Sequence, residues 1–245
     1  MVGLFTLKGL LESARACVAL RLLHHAYCNR QFLQTHYAEN HFLDFQQLSY
    51  HDSNLSAVRG FTMSYVIELL FNPEAEDAIR DLWQRIADAG YPSSQDADGY
   101  RPHLTLAVSD APAFDVNACR AHLADVVRSW RPFPILLNHL GLFRTIENVV
   151  FLGVAPSQAL LDLHRATFGL CQRVATAWRA YYAPNHWTPH VTLAFDLTPE
   201  QALGILALAW DMALPVHAHA HALQLVEITP DYARNLILCE LGRAG

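Results

Sequence analysis

An eight-residue pattern occurs twice in the chain and constrains its fold more than any other feature. It reads aromatic, any residue, Pro, His, aliphatic, Thr, Leu, Ala, and its copies are residues 100–107 and 187–194, 87 positions apart. A single His-x-Thr is common by chance. A second copy at the equivalent place in a repeated order of elements predicts that the chain contains two halves built alike.

Hydrophobic periodicity predicts the same succession of elements around each copy: strand, helix, short strand, helix, long strand. For the first half, the predicted elements are strand 61–71, helix 73–89, strand 102–108, helix 116–130 and strand 133–143. For the second half, they are strand 148–154, helix 157–179, strand 189–195, helix 199–211 and strand 216–228, followed by a last strand over 235–241. This mixture of helices and strands predicts an α+β fold.

The chain is predicted to divide near residue 62. Residues 1–62 begin with a helical pattern and continue into a stretch rich in His, Gln, Asn and aromatic residues that has no clear period. We expect an extension that is partly helical or disordered, with a membrane-surface or partner-binding helix as the alternative. Residues 63–245 are expected to form the main domain, with halves of about 63–145 and 146–245.

Composition excludes several classes of protein. A net charge of −6, from 17 basic and 23 acidic residues, disfavours a surface for long nucleic acid. Lys8 is the only lysine, which disfavours P-loop, kinase and ATP-dependent ligase chemistry. Five cysteines without a Cys-x-x-Cys pair favour reduced thiols in a cytoplasmic protein, and no apolar run is long enough to span a membrane. We expect a cytoplasmic monomer.

The two short strands carry the candidate chemistry. Side chains alternate along a strand, so His103 and Thr105 point to one side, about 7 Å apart, and so do His190 and Thr192. If the halves pack around a pseudo-twofold axis, both pairs face one groove. One neutral imidazole can then act as a base while the other acts as an acid, and the hydroxyls can hold phosphate oxygens. This scheme requires no metal and no cofactor.

The paired motifs His103-Leu104-Thr105-Leu106 and His190-Val191-Thr192-Leu193 resemble those of the two-histidine (2H) phosphoesterase superfamily, in its 2′-5′ RNA ligase-like branch. The resemblance spans residues 61–241. It implies a bilobal, duplicated fold in which two antiparallel sheets are related by a pseudo-twofold axis, with flanking helices and a central groove lined by the motifs.

The resemblance also implies an activity and its partners. It implies metal-independent hydrolysis of a 2′,3′-cyclic phosphate, on an RNA end or a nucleotide, or of a related cyclic phosphoester, and in the reverse direction 2′-5′ ligation. By position it makes His103 the general acid and His190 the base that activates water, with Thr105 and Thr192 binding the phosphate. The sequence alone does not distinguish the two histidines.

Three aromatic residues are predicted to contact the base of a nucleotide. Tyr100 and Trp187 precede the two motif histidines by three positions, and Phe143 ends the long strand of the first half. An aromatic face stacks on any base. Ordinary packing is the alternative for all three.

Two other functions stay open at this point. The same site could bind a nucleotide or an RNA end without catalysis. His217, His219 and His221 alternate along the last long strand and could indicate a metal-binding protein. Side chains of alternate residues are about 7 Å apart, however, so a straight strand cannot direct all three at one zinc ion, and no functional metal is predicted.

Overall fold

The computed structural model describes residues 63–93, 100–145, 147–229 and 232–242. These residues belong to one compact unit, Phe61–Gly245. The predicted extension, residues 1–62, lies outside the described residues, so its expected character stays a prediction.

Within the described residues, seven strands and four α-helices follow one another in the predicted order. The first half contains β1 (Ser64–Phe71), α1 (Pro73–Asp88), β2 (His103–Ser109), α2 (Val116–Arg128) and β3 (Pro134–Phe143). The second half contains β4 (Val149–Val154), α3 (Gln158–Val174), β5 (His190–Ala194), α4 (Pro199–Leu208), β6 (Val216–Ile228) and β7 (Ala233–Glu240). Short 3-10 helices follow α3 and α4, at Ala180–Tyr182 and Ala209–Asp211.

All strand pairs are antiparallel, in the order β2-β1-β6-β3-β4-β5, with β7 on β6. The thirteen-residue strand β6 pairs with β3 over Val216–His219 and with β1 over Ala220–Ile228. The predicted α+β class with antiparallel pairing and flanking helices is therefore confirmed. The two expected sheets are continuous, because β6 is long enough to belong to both.

The strand order is symmetric in the two halves. Exchanging β1 for β4, β2 for β5 and β3 for β6 leaves the path β2-β1-β6-β3-β4-β5 unchanged, apart from its direction. Each half thus places its motif strand at one end of the path, next to its own first strand. That the halves arose by duplication stays a prediction.

The helix starts follow from local sequence signals. Asp115 and Ser157 accept hydrogen bonds from the backbone N–H groups of Ala118 and Leu160 at the starts of α2 and α3. Thr198 and Gln201 form a capping box at the start of α4. Such bonds satisfy N–H groups that the first helical turn leaves without partners.

The end of α3 differs from the prediction. The expected helix 157–179 ends at Val174, because the chain leaves the helix at Ala175, which pairs with Phe114 in an isolated antiparallel bridge. The indole N–H of Trp178 donates to the carbonyl of Cys171 at 2.9 Å. The same carbonyl also accepts from the backbone N–H of Ala175 at 3.2 Å, so the indole adds a second hydrogen bond where the helix ends.

The core lies between the sheet and the helices. α1 contacts β6, α2 contacts α3 and β7, and α4 contacts β4. The largest fully buried side chains include Trp83 and Ile79 of α1, Phe71 of β1, Leu104 of β2 and Leu123 of α2. Within the part of the chain that the structure describes, no helix is both long and apolar enough to cross a membrane.

Candidate active site

The first motif occupies β2 as the alternation predicts. Leu104 and Leu106 are fully buried against the core, whereas His103 and Thr105 lie half-buried on the opposite face of the strand. β1 pairs with β2 so that Glu68 lies opposite Thr105 and Leu70 lies opposite His103. The apolar residues thus fix the orientation of β2, and the polar ones are presented together.

The second motif occupies β5 in the same way. Val191 and Leu193 are buried, and His190 and Thr192 are half-buried on the other face. In both halves the pairing shifts by one residue just beyond the threonine, between Ile67 and Glu68 and between Val150 and Phe151. Such β-bulges re-aim side chains near functional sites. We call the four residues His103, Thr105, His190 and Thr192 the two-histidine site.

Two tryptophans connect the two halves of the chain at the site. The indole N–H of Trp187, which precedes β5, donates to the carbonyl of Thr105 on β2 at 3.0 Å. The indole N–H of Trp83, on α1, donates to the carbonyl of Thr192 on β5 at 3.1 Å. β2 and β5 lie at opposite ends of the strand path, yet the Trp187 bond ties them directly together.

The two imidazoles are oriented identically by the backbone. Nδ1 of His103 lies 2.8 Å from the carbonyl oxygen of Arg101, and Nδ1 of His190 lies 2.7 Å from that of Thr188. A carbonyl oxygen only accepts, so each Nδ1 is the donor. This arrangement assigns the proton to Nδ1 in the neutral ring and leaves Nε2 for acid–base chemistry.

A buried carboxylate lies beside the first histidine. Oε1 of Glu68 is 3.4 Å from Nε2 of His103, and the Glu68 side chain is only 1% exposed. Its other oxygen accepts a hydrogen bond from Gln224 of β6. Burial raises the pKa of Glu68, while the charge of His103 and the Gln224 bond act in the opposite direction. A buried ionisable group of this kind is typical of functional sites.

Aromatic rings surround the second histidine instead. The ring centroid of Phe143 is 4.9 Å from that of His190, the centroid of Phe151 is 5.3 Å from it, and the two phenyl rings stack at 4.2 Å. Burial lowers the pKa of His190, and the charge of His103 lowers it further. His190 therefore favours its neutral form.

Three aromatic residues were predicted from the sequence as base contacts. Phe143 lies at His190, and the Tyr100 ring centroid lies 6.0 Å from that of His103. Trp187 also lies at the site. Its ring stacks on the buried His164 at 4.0 Å between ring centroids, and its N–H group donates to the carbonyl of Thr105. The structure thus brings all three to the two-histidine site, and their contact with a base stays a prediction.

Tyr182 supports the first motif from outside the sheet. Its hydroxyl group interacts with the hydroxyl of Thr105, and its carbonyl oxygen accepts a hydrogen bond from Nε2 of His164 at 2.9 Å. Burial raises the pKa of the Tyr182 phenol. The chain from Trp187 through His164 to Tyr182 therefore positions the side chain and the backbone of Thr105 together.

The alternating histidines of β6 lie apart from this chemistry. His217 and His219 are exposed and His221 is half-buried, whereas Ala218 and Ala220 between them are buried, as a strand with one covered face requires. In the described part of the chain, no group of three or more His, Cys, Asp or Glu side chains is arranged to hold a metal ion.

Sequence reasoning missed Glu68 and Phe151, the residues beneath the two histidines. For Glu68 a signal was present, because it interrupts the apolar run of β1 and a carboxylate in a buried strand is costly. Phe151 carried no signal, since a phenylalanine in a buried strand is ordinary. Tyr182 was missed because it approaches Thr105 from a short 3-10 helix 77 residues away in the chain.

The class of protein follows from a match to a known family. Residues 108–231 match the 2′-5′ RNA ligase superfamily, and the chain belongs to this family of two-histidine phosphoesterases. A protein of Oceanobacillus iheyensis, named provisionally as a phosphoesterase, is 28% identical over 109 residues, which are 43% of this chain and 58% of that protein. The match thus spans less than two thirds of the relative's length.

Solved structures of two proteins align with much of this chain. E. coli LigT in its apo form aligns over 75% of this chain and 100% of its own, with 18% identity and a TM-score of 0.48. LigT has also been solved with 3′-AMP, with a TM-score of 0.47. Usb1 of Kluyveromyces marxianus aligns over 71% of this chain and 97% of its own, with 8% identity and a TM-score of 0.40.

Proposed function

We propose that this protein hydrolyses 2′,3′-cyclic phosphates, on a nucleotide or an RNA end, by acid–base catalysis between His103 and His190. One observation carries the proposal. Two imidazoles from equivalent strands are fixed through Nδ1 to a carbonyl two residues earlier, and both leave Nε2 for proton transfer. Two positioned bases of this kind suit a reaction in which one proton is taken and another is given.

The proton balance of the reaction fits the two environments. Neutral His190 takes a proton from water, and the water oxygen forms a bond to phosphorus. The bond from phosphorus to one ribose oxygen breaks, and protonated His103 gives that oxygen a proton. The product is a ribose phosphomonoester with one hydroxyl restored. The lowered pKa of His190 supports its role as the base, and the carboxylate of Glu68 beside His103 supports the opposite role there.

Thr105 and Thr192 are proposed to bind the phosphate. Each lies two residues after its histidine on the same face of its strand. A hydroxyl at this place can donate to a non-bridging oxygen, where negative charge increases in the transition state. The bond from Trp187 to the carbonyl of Thr105 and the one from Trp83 to that of Thr192 support this role, because they fix the backbone of both residues.

Tyr100, Phe143 and Trp187 are proposed to stack on the nucleotide base. Phe143 is the best supported, since it lies directly against His190 on the half-buried end of β3. Stacking of a base on an aromatic face contributes about 1–3 kcal/mol and tolerates different bases. We therefore expect broad base tolerance.

The same site is also proposed to join 2′-5′ ends. In that reaction a 5′-hydroxyl replaces water: His190 takes its proton and its oxygen bonds to phosphorus, while the bond from phosphorus to the 3′-oxygen of the cyclic end breaks and His103 gives that oxygen a proton. Binding of a nucleotide or an RNA end without turnover is the alternative function.

The test is a panel of 2′,3′-cyclic mononucleotides and a short RNA with a 2′,3′-cyclic end. Wild type is compared with His103→Ala and His190→Ala, and the position of the phosphate in the product is determined. We expect losses of about 100-fold to 10,000-fold in kcat in both variants, the range for general acid–base catalysis. His217→Ala, which removes an exposed histidine of β6, is the matched control and should retain full activity.

Two outcomes would contradict the proposal. Full activity in either motif variant removes the mechanism, and nucleotide binding by calorimetry without turnover on any substrate favours the binding function. A chelator is included in one arm of the assay. Loss of activity on chelation would show that a metal participates and that the metal-free scheme is wrong.

A further inference from the structure

Glu68 and Phe151 occupy equivalent positions beneath the two catalytic histidines. Glu68 on β1 lies opposite Thr105 on β2, and Phe151 on β4 lies opposite Thr192 on β5. Both residues directly follow the one-residue shift in pairing that each half contains. The two halves of the site therefore share this shift in pairing, whereas the side chain that follows it is a carboxylate in one half and a phenyl ring in the other.

Glu68 lies in a network of polar side chains that extends across the sheet to β7. Its Oε1 faces Nε2 of His103 at 3.4 Å and makes no hydrogen bond with any described residue. Gln224 on β6 donates to its Oε2, and Gln224 in turn accepts a hydrogen bond from Asn235 of β7 at 2.9 Å. The carboxyl group is thus held from one side with its second oxygen directed at the imidazole.

The surroundings of Phe151 are apolar on the side of His190. Phe151 is 5% exposed, stacks on Phe143, and presents its ring to the imidazole of His190. The room for this ring comes from Gly141 on β3, where a Cβ atom would collide with Phe151. Rings in this position replace water around the imidazole and provide no opposite charge.

Other titratable groups near His103 and His190 do not reproduce the difference between Glu68 and Phe151. The guanidinium of Arg101 is paired with Glu76 of α1 at 2.8 Å. On the other side, the exposed His139 lies with its ring centroid 6.4 Å from that of Phe151. Among the described residues, Tyr100 also lies beside His103, and Tyr182 bonds to Thr105.

We propose that this exchange of a carboxylate for a phenyl ring divides the roles, so that Glu68 keeps a proton on His103 while Phe151 keeps His190 unprotonated. The proposal rests on the hydrolysis proposed above. An ionised carboxylate in a site of low dielectric favours positive charge on its neighbour. Glu68 is a positioning residue, because it acts through His103, and the reacting proton is transferred by His103.

The experiment compares wild type with Glu68→Gln, which keeps the shape of the side chain and its bond to Gln224. The pH dependence of kcat/KM is measured on a cyclic mononucleotide, and nitrogen-15 NMR at pH 7.0 reports the proton occupancy of both imidazoles. We expect the alkaline limb of the profile to move to lower pH by about one unit, which reduces activity above it about ten-fold. The proton occupancy of His103 should fall, and that of His190 should not.

A second variant tests the other half. Phe151→Glu places a carboxylate beneath His190, and we expect a protonated His190 at pH 7.0 together with loss of the base and of turnover. Glu227→Gln is the control, since Glu227 is also a buried carboxylate on this sheet but pairs with Arg234 and Tyr232. It should leave the profile unchanged.

The outcomes separate the two proposals. An active wild type whose pH profile and imidazole charges are the same in Glu68→Gln overturns the division of roles and leaves the hydrolysis standing. Failure of the wild type to turn over any cyclic phosphate overturns the proposed function, whatever the imidazole charges are. The NMR measurement does not depend on turnover, so Glu68→Gln remains decisive even if Phe151→Glu does not fold.

Discussion

The indole N–H of Trp187 donates to the backbone carbonyl of Thr105, so a residue next to one motif holds the strand of the other. Trp83 makes the reciprocal bond to Thr192 from α1. The distance between the two histidines thus depends on side chains as well as on the sheet.

The Trp187→Phe variant tests this link. It keeps an aromatic ring beside His164 but leaves the carbonyl of Thr105 without its donor. We expect a loss of about 1–3 kcal/mol in the free energy of unfolding, as for a buried polar group left without a partner, and a lower kcat. Urea unfolding and a cyclic-phosphate assay measure the two effects. Trp210→Phe is the control, since Trp210 is 81% exposed, and equal effects of both substitutions would contradict the prediction.

Buried histidines should make the fold sensitive to mild acid. Burial lowers the pKa of His122, His164 and His190, so the folded chain keeps them neutral where the unfolded chain binds protons. The stability from this difference is present above about pH 6.5 and is lost as the pH falls through the lowered values in the folded state. Glu68 has the opposite effect on the pH dependence of stability. Burial raises its pKa by disfavouring the ionised form, so its contribution to stability decreases as the pH rises.

The contribution of one histidine is therefore measured by substitution. In His164→Gln, the difference in unfolding free energy between pH 7.5 and pH 5.0 should be smaller than in wild type, because His164 is 2% exposed and must be protonated only after unfolding. Urea unfolding at the two pH values gives the difference. His217→Gln, an exposed histidine, should behave as wild type. An unchanged pH dependence in His164→Gln would falsify the prediction.

Two glycines of the sheet should differ in their tolerance of a side chain. A Cβ at Gly141 collides with the ring of Phe151, which is buried, whereas a Cβ at Gly153 collides with the ring of His139, which is exposed and can rotate away. We expect Gly141→Ala to cost about 1–3 kcal/mol in unfolding free energy, as for an overpacked core, and Gly153→Ala to cost less. Equal costs in urea unfolding would show that Phe151 is not fixed by its neighbours.

Two cysteines should be inert in the folded protein. Burial raises the pKa of the Cys119 thiol to about 12 and also raises that of Cys171, so the reactive thiolate is scarce at neutral pH. Iodoacetamide followed by peptide mapping should find both unlabelled in buffer and labelled in urea. Labelling of either one in buffer at the rate seen in urea would mean that the core opens readily.

The sequence predicted most of the elements because their signals are local. The bounds of β6 were predicted to the residue, and α1 was predicted to within one residue of its observed end, from the Asn72-Pro73 start and the apolar period. The end of α3 was wrong by five residues, because a bridge from Ala175 to Phe114 ends the helix and involves residues 61 positions apart. Contacts at such separation leave no periodic signal.

The candidate site was likewise predictable from the sequence only in part. The repeated His-x-Thr predicted the two strands and the faces of their side chains, which the burial of Leu104 and Val191 bears out. The difference between the two histidines was not predictable from the motifs, because it comes from β1 and β4. Pairing of these strands with β2 and β5 brings Glu68 and Phe151 to the site, and the pairing register is known only from the folded chain.

The membership of β6 in both sheets has a consequence for how this chain can change in evolution. A residue inserted or deleted between Val216 and Ala222 would shift β3, which pairs with the first part of β6, relative to β1, which pairs with the rest. The spacing between His103 and His190 would then change. A residue added after β7 would leave that spacing intact. We therefore expect natural variation in length to avoid this strand, even though it contributes no side chain to the two-histidine site.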